Sequence, residues 1–130
     1  MSANQRVFLA DDDADMRRLI RLALEKDGCE VFEARDGTEL IDLLEAAPVA
    51  PTMPDVVITD VHMPNFSGLG VLRTLRQAHC HLPVILITVD PMPAVRSDAR
   101  QWGAAAVFAK PLDLEDLRTA VANARRLRFV

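Results

Sequence analysis

The chain has 130 residues, of which 50% are hydrophobic and 26% charged, a balance typical of one folded domain and not of a disordered or fibrous chain. Its formal net charge of −4 argues against a protein that binds the phosphate backbone of nucleic acids. No apolar run reaches the roughly 18 residues of a membrane span, and the first apolar run soon meets Asp11, unlike the core of a signal peptide. We therefore expect a single cytoplasmic domain over residues 1–130, with no direct nucleic-acid partner and no membrane partner.

Short β-type runs alternate with longer helical patterns along the chain. The first apolar run, Val7 to Ala10, is followed by helical spacing from Met16 to Leu24, and Gly28 is the expected end of that helix. The other predicted strands cover 30–34, 56–59, 84–87 and 105–109. A helical pattern follows each of them, and the helix after the fourth strand, 94–102, should be short. This alternation favours an α/β fold, a doubly wound five-stranded parallel sheet with helices on its faces.

Polar residues stand where the predicted strands end, and the carboxyl ends of such strands are where ligands bind in open α/β sheets. They are Asp11 with Asp12, then Asp60, Thr88 and Lys110. Carboxylates that converge in one pocket repel each other and have raised pKa values unless a cation neutralises them. Ligands that offer only oxygen suit a hard ion such as Mg²⁺, which also keeps water and a phosphate oxygen among its ligands.

A lysine and a hydroxyl across the same pocket could hold the oxygens of a phosphate. The set of groups therefore predicts phosphoryl transfer, in which catalysis consists mostly of positioning and charge neutralisation. The nucleophile would be a carboxylate.

In this order the residues resemble the receiver domain of two-component response regulators, over nearly the whole chain. Asp11-Asp12 is similar to the acidic pair of that family. Asp60-Val61-His62-Met63-Pro64, with Gly68, is similar to its phosphoacceptor loop, D-x-x-M-P-x-x-x-G, and Thr88 and Lys110-Pro111 complete the set. The resemblance implies a flavodoxin-like three-layer sandwich with strand order 2-1-3-4-5.

The resemblance also implies a role for each acid. Asp60 would be the phosphoacceptor, taking the phosphoryl group from a phosphohistidine of a sensor histidine kinase or a phosphotransfer protein and later losing it to water. Asp60 and Asp12 would bind Mg²⁺ directly, Asp11 would bind it through water, and the backbone carbonyl of His62 would be a further ligand. The imidazole of His62 would face solvent. Such a protein phosphorylates and dephosphorylates itself and is not a turnover enzyme.

The same resemblance implies how a signal would leave the site. Thr88 and Lys110 would contact the acyl phosphate, and an inward movement of Thr88 would shift the loop after the fourth strand. The last helix-strand-helix face, roughly 94–126, would then contact a downstream effector or a second copy of the chain. The bond before Pro111 would be cis.

Two positions depart from the family pattern. Val107 stands where receivers usually carry Tyr or Phe, while Phe108 should face the other side of its strand. Val89 stands where a small residue is usual and could narrow access to the site, and Pro91 and Pro93 delay the following helix. We expect the phosphorylation chemistry to survive and the switch to differ. A degenerate receiver that acts only as an interaction module is the alternative.

Two other functions of the same fold class are weaker matches. A flavodoxin or dinucleotide-binding domain would carry a glycine-rich phosphate loop after the first strand, where this chain has Asp11-Asp12-Asp13. A phosphatase with an aspartyl nucleophile would need a cap for its substrate, and 130 residues leave little room for one. A stand-alone receiver and a receiver within a longer regulator are both open.

Overall fold

The computed structural model describes residues 5–47 and 52–127, and it contains five β/α units. The units are β1 (Arg6–Ala10), α1 (Ala14–Lys26), β2 (Glu30–Ala34), α2 (Gly37–Ala46), β3 (Val56–Asp60), α3 (Gly68–Gln77), β4 (Val84–Thr88), α4 (Pro93–Gln101), β5 (Ala106–Ala109) and α5 (Leu114–Leu127). The predicted elements are confirmed in type and order. Their ends shift by one or two residues, and the third and fourth strands extend to include Asp60 and Thr88. Within the described ranges, no helix has the length and apolar character needed to cross a bilayer.

The strands form one parallel sheet in the order β2-β1-β3-β4-β5, which confirms the predicted doubly wound, flavodoxin-like topology. Two buried clusters, one on each face of the sheet, make up the core. One contains side chains of α2, α3 and α4, and the other contains side chains of α1 and α5. The sheet is therefore the middle of three layers.

The two central strands, β3 and β4, are buried at every position, as expected for β-branched runs covered by helices on both faces. Successive side chains alternate between the layers, so that Val57 packs towards α2, α3 and α4 and Ile58 towards α1 and α5. The same alternation separates Val107 from Phe108 on β5. Phe108 is half-buried against the α1 and α5 layer, which confirms its predicted direction.

Side-chain caps begin four of the five helices described. The carboxylates of Asp13, Asp36 and Asp113 and the hydroxyl of Ser67 accept backbone N–H groups at the starts of α1, α2, α5 and α3, respectively. In contrast, α4 begins at Met92-Pro93 without a side-chain cap. Pro93 is the first residue of α4, one residue before the predicted start of this helix. Gly28 follows α1 with φ of +86°, a backbone conformation that glycine adopts without strain.

Helix α5 is held to the sheet by side chains that are fully buried, and Leu117 is one of them. We expect Leu117→Ala to lower the free energy of unfolding by about 2–5 kcal/mol, because it removes buried methyl groups and leaves a cavity. Leu22→Ala on α1 is the control, since Leu22 is 46% exposed, and it should change stability by less than about 0.5 kcal/mol. Urea denaturation measures both, and equal losses would contradict this packing.

Candidate functional site

Three acidic side chains meet at the carboxyl edge of the sheet because β1 and β3 are adjacent parallel strands. Ala10 pairs with Thr59, so Asp11 and Asp60 follow as neighbours at the ends of the two strands. Carboxylate oxygens of Asp11, Asp12 and Asp60 all lie within 4.8 Å of one another. Asp11 and Asp60 are buried and Asp12 is exposed. The predicted acidic residues are therefore brought together.

Lys110 reaches this cluster from the far side of β4. Its Nζ donates hydrogen bonds to Asp11 Oδ2 at 3.0 Å and to Asp60 Oδ2 at 2.9 Å. The side chain of Lys110 is only 12% exposed, so that both ion pairs are largely shielded from water. The cluster contains three carboxylates and one ammonium, so it has an excess of negative charge.

Burial and neighbouring charges shift the pKa values in this cluster. Burial raises the pKa of Asp11, and the charge of Asp60 adds to this, although the Asp13 N–H and Lys110 pull it down. For Lys110, burial lowers the pKa, but the hydrogen bonds to Asp60 and Asp11 and the charges of these acids outweigh it, and the pKa is raised. Lys110 therefore remains an ammonium at neutral pH.

The loop after Asp60 folds back over its carboxylate. The N–H of His62 donates to Asp60 Oδ1 at 3.1 Å, and the His62 side chain is exposed, as predicted. The N–H of Gly68, the first residue of α3, donates to the carbonyl of Val61 at 3.0 Å. A Cβ at Gly68 would overlap the backbone carbonyl oxygen of Asp60, which explains why the loop ends on glycine. The Lys110-Pro111 peptide is cis, as expected from the resemblance.

Thr88 is buried at the end of the neighbouring strand, and its contacts lead away from the acids. Its Oγ1 accepts the N–H of Asp90 at 3.0 Å, and its carbonyl accepts the N–H of Lys110 at 2.8 Å. Thr88 thus connects the loop before α4 to the residue that holds the acids. The next side chain, Val89, is 66% exposed.

Sequence reasoning missed two contacts that position the site. Arg17, one turn into α1, donates to the backbone carbonyl of Asp11 at 2.8 Å and pairs with Glu33 on β2 at 3.0 Å. Asn65, at φ of +73°, donates to Asp36 Oδ2 at 2.9 Å and so joins the loop after β3 to the start of α2. Asn adopts a positive φ more readily than most residues, and this preference is the signal in the sequence that could have indicated the turn at Asn65.

The donors at this edge suit a hard divalent cation. All three are carboxylates, and their excess negative charge is what such an ion would neutralise. Asp11 has both oxygens engaged, one with the N–H of Asp13 at 2.9 Å and one with Lys110. The exposed Asp12 has its carboxylate at the open side of the cluster. The residues therefore fit the predicted cation.

Comparison with known proteins agrees with this geometry. Residues 7–122 match the family described as the response regulator receiver domain. The chain belongs to this family. The receiver is 27% identical to sporulation initiation phosphotransferase F of Bacillus subtilis, over 91% of each chain. It is 36% identical to the response regulator MprA of Mycobacterium, over 86% of this chain and 46% of MprA. It is 31% identical to the regulatory protein AtoC of Escherichia coli, over 98% of this chain and 27% of AtoC.

Solved receiver structures have the same fold. A response regulator receiver domain protein from Clostridium thermocellum is 30% identical, with a TM-score of 0.86 over 95% of this chain and 96% of the other. The receiver domain of the Francisella response regulator 1452 is 25% identical, with a TM-score of 0.87 over 96% of this chain and 99% of the other. The family and the fold predicted from the sequence are thus confirmed.

Gly68 tests how closely α3 must approach the loop after Asp60. We expect Gly68→Ala to lower the free energy of unfolding by about 1–3 kcal/mol. The added methyl group would overlap the backbone carbonyl of Asp60, which is fixed in the sheet. Gly70→Ala is the matched control on the same helix, where the new methyl group would meet the ring of Phe66 at 3.0 Å. The ring of Phe66 can shift, so Gly70→Ala should lower the melting temperature less than Gly68→Ala does. The opposite ranking would contradict the close approach.

Asp11 tests the cost of crowding acids without a cation. In protein stripped of metal at pH 7, we expect Asp11→Asn to raise the melting temperature, because burial and Asp60 disfavour the ionised Asp11. Because the pKa of Asp11 is higher in the folded protein than in the unfolded chain, the folded protein loses stability as the pH rises from the unfolded-state pKa to the folded-state pKa. The gain of the variant should therefore grow from pH 4 to pH 7. Asp42→Asn on the exposed side of α2 should show no such gain, and a destabilised Asp11→Asn protein would contradict this reasoning.

Proposed function

We propose that this receiver accepts a phosphoryl group on Asp60 from a phosphohistidine of a sensor histidine kinase or a phosphotransfer protein. The observation that supports the proposal is that the Asp60 carboxylate is bonded to the Lys110 ammonium and lies within 4.8 Å of carboxylate oxygens of Asp11 and Asp12. As a nucleophile, Asp60 would act beside one resident cation and beside donors that fit a second one. The proposal includes a single receiver domain over residues 1–130 and a cytoplasmic location.

In this proposal Asp12, Asp60 and the backbone carbonyl of His62 would hold Mg²⁺, and Asp11 would reach it through water. The engaged oxygens of Asp11 and the exposed Asp12 support this division. The bound ion would neutralise the acids and the phosphoryl oxygens, whose mutual repulsion otherwise opposes the reaction. Asp11 holds Lys110 in place from the buried side.

The transfer exchanges one bond to phosphorus for another. An oxygen of Asp60 forms a P–O bond while the P–N bond of the phosphohistidine breaks, and its electron pair stays on the imidazole nitrogen, which takes up a proton. The ammonium of Lys110, which is hydrogen-bonded to Asp60, would then donate a hydrogen bond to an oxygen of the new phosphoryl group. In the later dephosphorylation, the oxygen of a water molecule forms a bond to phosphorus and the Asp60 O–P bond breaks. Inorganic phosphate then leaves, with release of a proton. The chain acts on itself and is not a turnover enzyme.

Thr88 would carry the change to the surface. Its buried hydroxyl accepts the N–H of Asp90 and keeps its own proton to donate. A bond from this hydroxyl to the acyl phosphate would pull on the loop that leads to Met92 and Pro93. Helix α4 has no side-chain cap at that end, so its start is weakly held. The movement would alter the last helix-strand-helix face, over 94–126, which would contact an effector or a second copy.

Incubation with acetyl phosphate and Mg²⁺ tests the proposal by intact mass. We expect a gain of about 80 Da per chain, the mass of one phosphoryl group, that Asp60→Asn abolishes and that a chelator prevents. Asp13→Asn is the matched control, because it removes an adjacent acid while asparagine still caps α1. It should keep the adduct.

A lack of any adduct in the wild-type chain, with the fold intact, would overturn the proposal in favour of the degenerate receiver. An adduct that survives Asp60→Asn would place the phosphoryl group elsewhere and would also contradict it.

A further inference from the structure

Helix α4 presents a row of one apolar and two basic side chains beside a small cavity. Met92, Arg96 and Arg100 follow one another at intervals of four residues from the cap of α4 along the helix, so they share one face. The cavity has a volume of about 220 Å³ and lies between α4 and β5. Its lining consists of Arg96, Ala99, Arg100, Ala104 and Val107.

The side chains of the two arginines are exposed. In the part of the chain that the structure describes, neither Arg96 nor Arg100 lies within ion-pair distance of a carboxylate. In contrast, Arg17, Arg35 and Arg118 are each paired. Like charges four residues apart on a helix destabilise it slightly, and an anionic partner would relieve this repulsion.

The size and lining of the cavity indicate what could enter it. Its volume is below the ~300–1,000 Å³ of sites that bind small molecules, so it has room for one side chain and not for a metabolite. Val107, Ala99 and Ala104 supply the apolar part of the lining, and Arg96 and Arg100 supply the polar part. Exposed Met92, at 53%, continues the apolar surface past the start of α4. An apolar side chain inside the cavity would leave both guanidinium groups at its rim.

We propose that this α4–β5 face binds an acidic segment of a partner protein. One Phe or Leu side chain of the segment fills the cavity above Val107, and two carboxylates of the segment pair with Arg96 and Arg100. Arginine suits this role because its planar guanidinium binds a carboxylate through two parallel hydrogen bonds. The chain as a whole is negative, at −4, so this basic face is a local feature that complements an acidic partner. The inference rests on the proposed function, since it names the partner chemistry of the proposed output face.

A defined peptide serves as the probe. It is fluorescently labelled, helical and blocked at both ends, with a central Phe and two Glu spaced to match the arginines, and its binding is followed by anisotropy. We expect the double variant Arg96→Gln/Arg100→Gln to weaken binding by about tenfold or more, with a matching loss when the peptide Glu are replaced by Gln. The control is Arg18→Gln/Arg73→Gln, which removes two exposed arginines of α1 and α3 and should leave the affinity unchanged.

The cavity is tested separately by filling it. Val107→Phe should weaken binding of the Phe peptide by about tenfold, yet leave a peptide with Ala at that position unaffected, and this coupling is what a shared cavity requires. Val107→Ala, which keeps the cavity open, should still bind the Phe peptide. The arginine variants lie on the surface, so they test the proposal even if Val107→Phe does not fold.

Three results would overturn the inference: no binding of the peptide, equal losses in the two arginine double variants, or a dimer that depends on Arg96 and Arg100 while the peptide does not bind. The last would assign the face to a second copy. Repeating the titration with and without acetyl phosphate separates the two proposals. Binding that depends on the arginines but not on phosphorylation would support the inference while contradicting the proposed relay. A normal adduct on Asp60 with no effect of the arginines would do the reverse.

Discussion

The ammonium of Lys110, bonded to the carboxylates of both Asp11 and Asp60, is the contact on which the site depends. It requires β1 and β3 to be neighbours so that the two acids meet, and it requires a side chain long enough to reach them from β5 across β4. A parallel sheet in the order 2-1-3-4-5 meets both conditions at a single edge. The apolar strands bury the acids, and burial gives their charges the strength that exposed pairs lack.

Lys110 alone does not neutralise the three acids, and the remaining negative charge connects the stability of the protein to its function. Three carboxylates share one ammonium, so the folded protein carries an electrostatic cost that a divalent cation would relieve. Thr88 joins this strained edge to the surface, because its hydroxyl accepts the N–H of Asp90 while its carbonyl accepts the N–H of Lys110. Helix α4, which has no side-chain cap at its start, follows the loop that the Thr88 hydroxyl holds. Its arginines and the cavity over Val107 are the features from which we infer the chemistry of a partner.

Much of this architecture is legible in the sequence, because the fold class depends on local patterns. Apolar runs that stop at Asp11, Asp60, Thr88 and Lys110 mark both the strands and the edge where they meet, and strand alternation predicts the opposite directions of Val107 and Phe108. The contacts that position the site depend on residues far apart in the chain. The Asn65 bond to Asp36 and the overlap that only Gly68 avoids both arise from how α2 and α3 approach the sheet. Local patterns do not encode such distances, nor the fact that the Thr88 hydroxyl bonds to Asp90.

The claim that the acids share a divalent cation can be tested most directly by NMR with Mn²⁺ as a paramagnetic substitute for Mg²⁺. In the ¹⁵N-labelled protein, substoichiometric Mn²⁺ should broaden first the amide signals of Asp12, Asp13, Val61 and His62, and excess Mg²⁺ should restore them. Broadening centred instead on residues away from these strand ends, or none that Mg²⁺ reverses, would contradict a shared cation at this edge of the sheet.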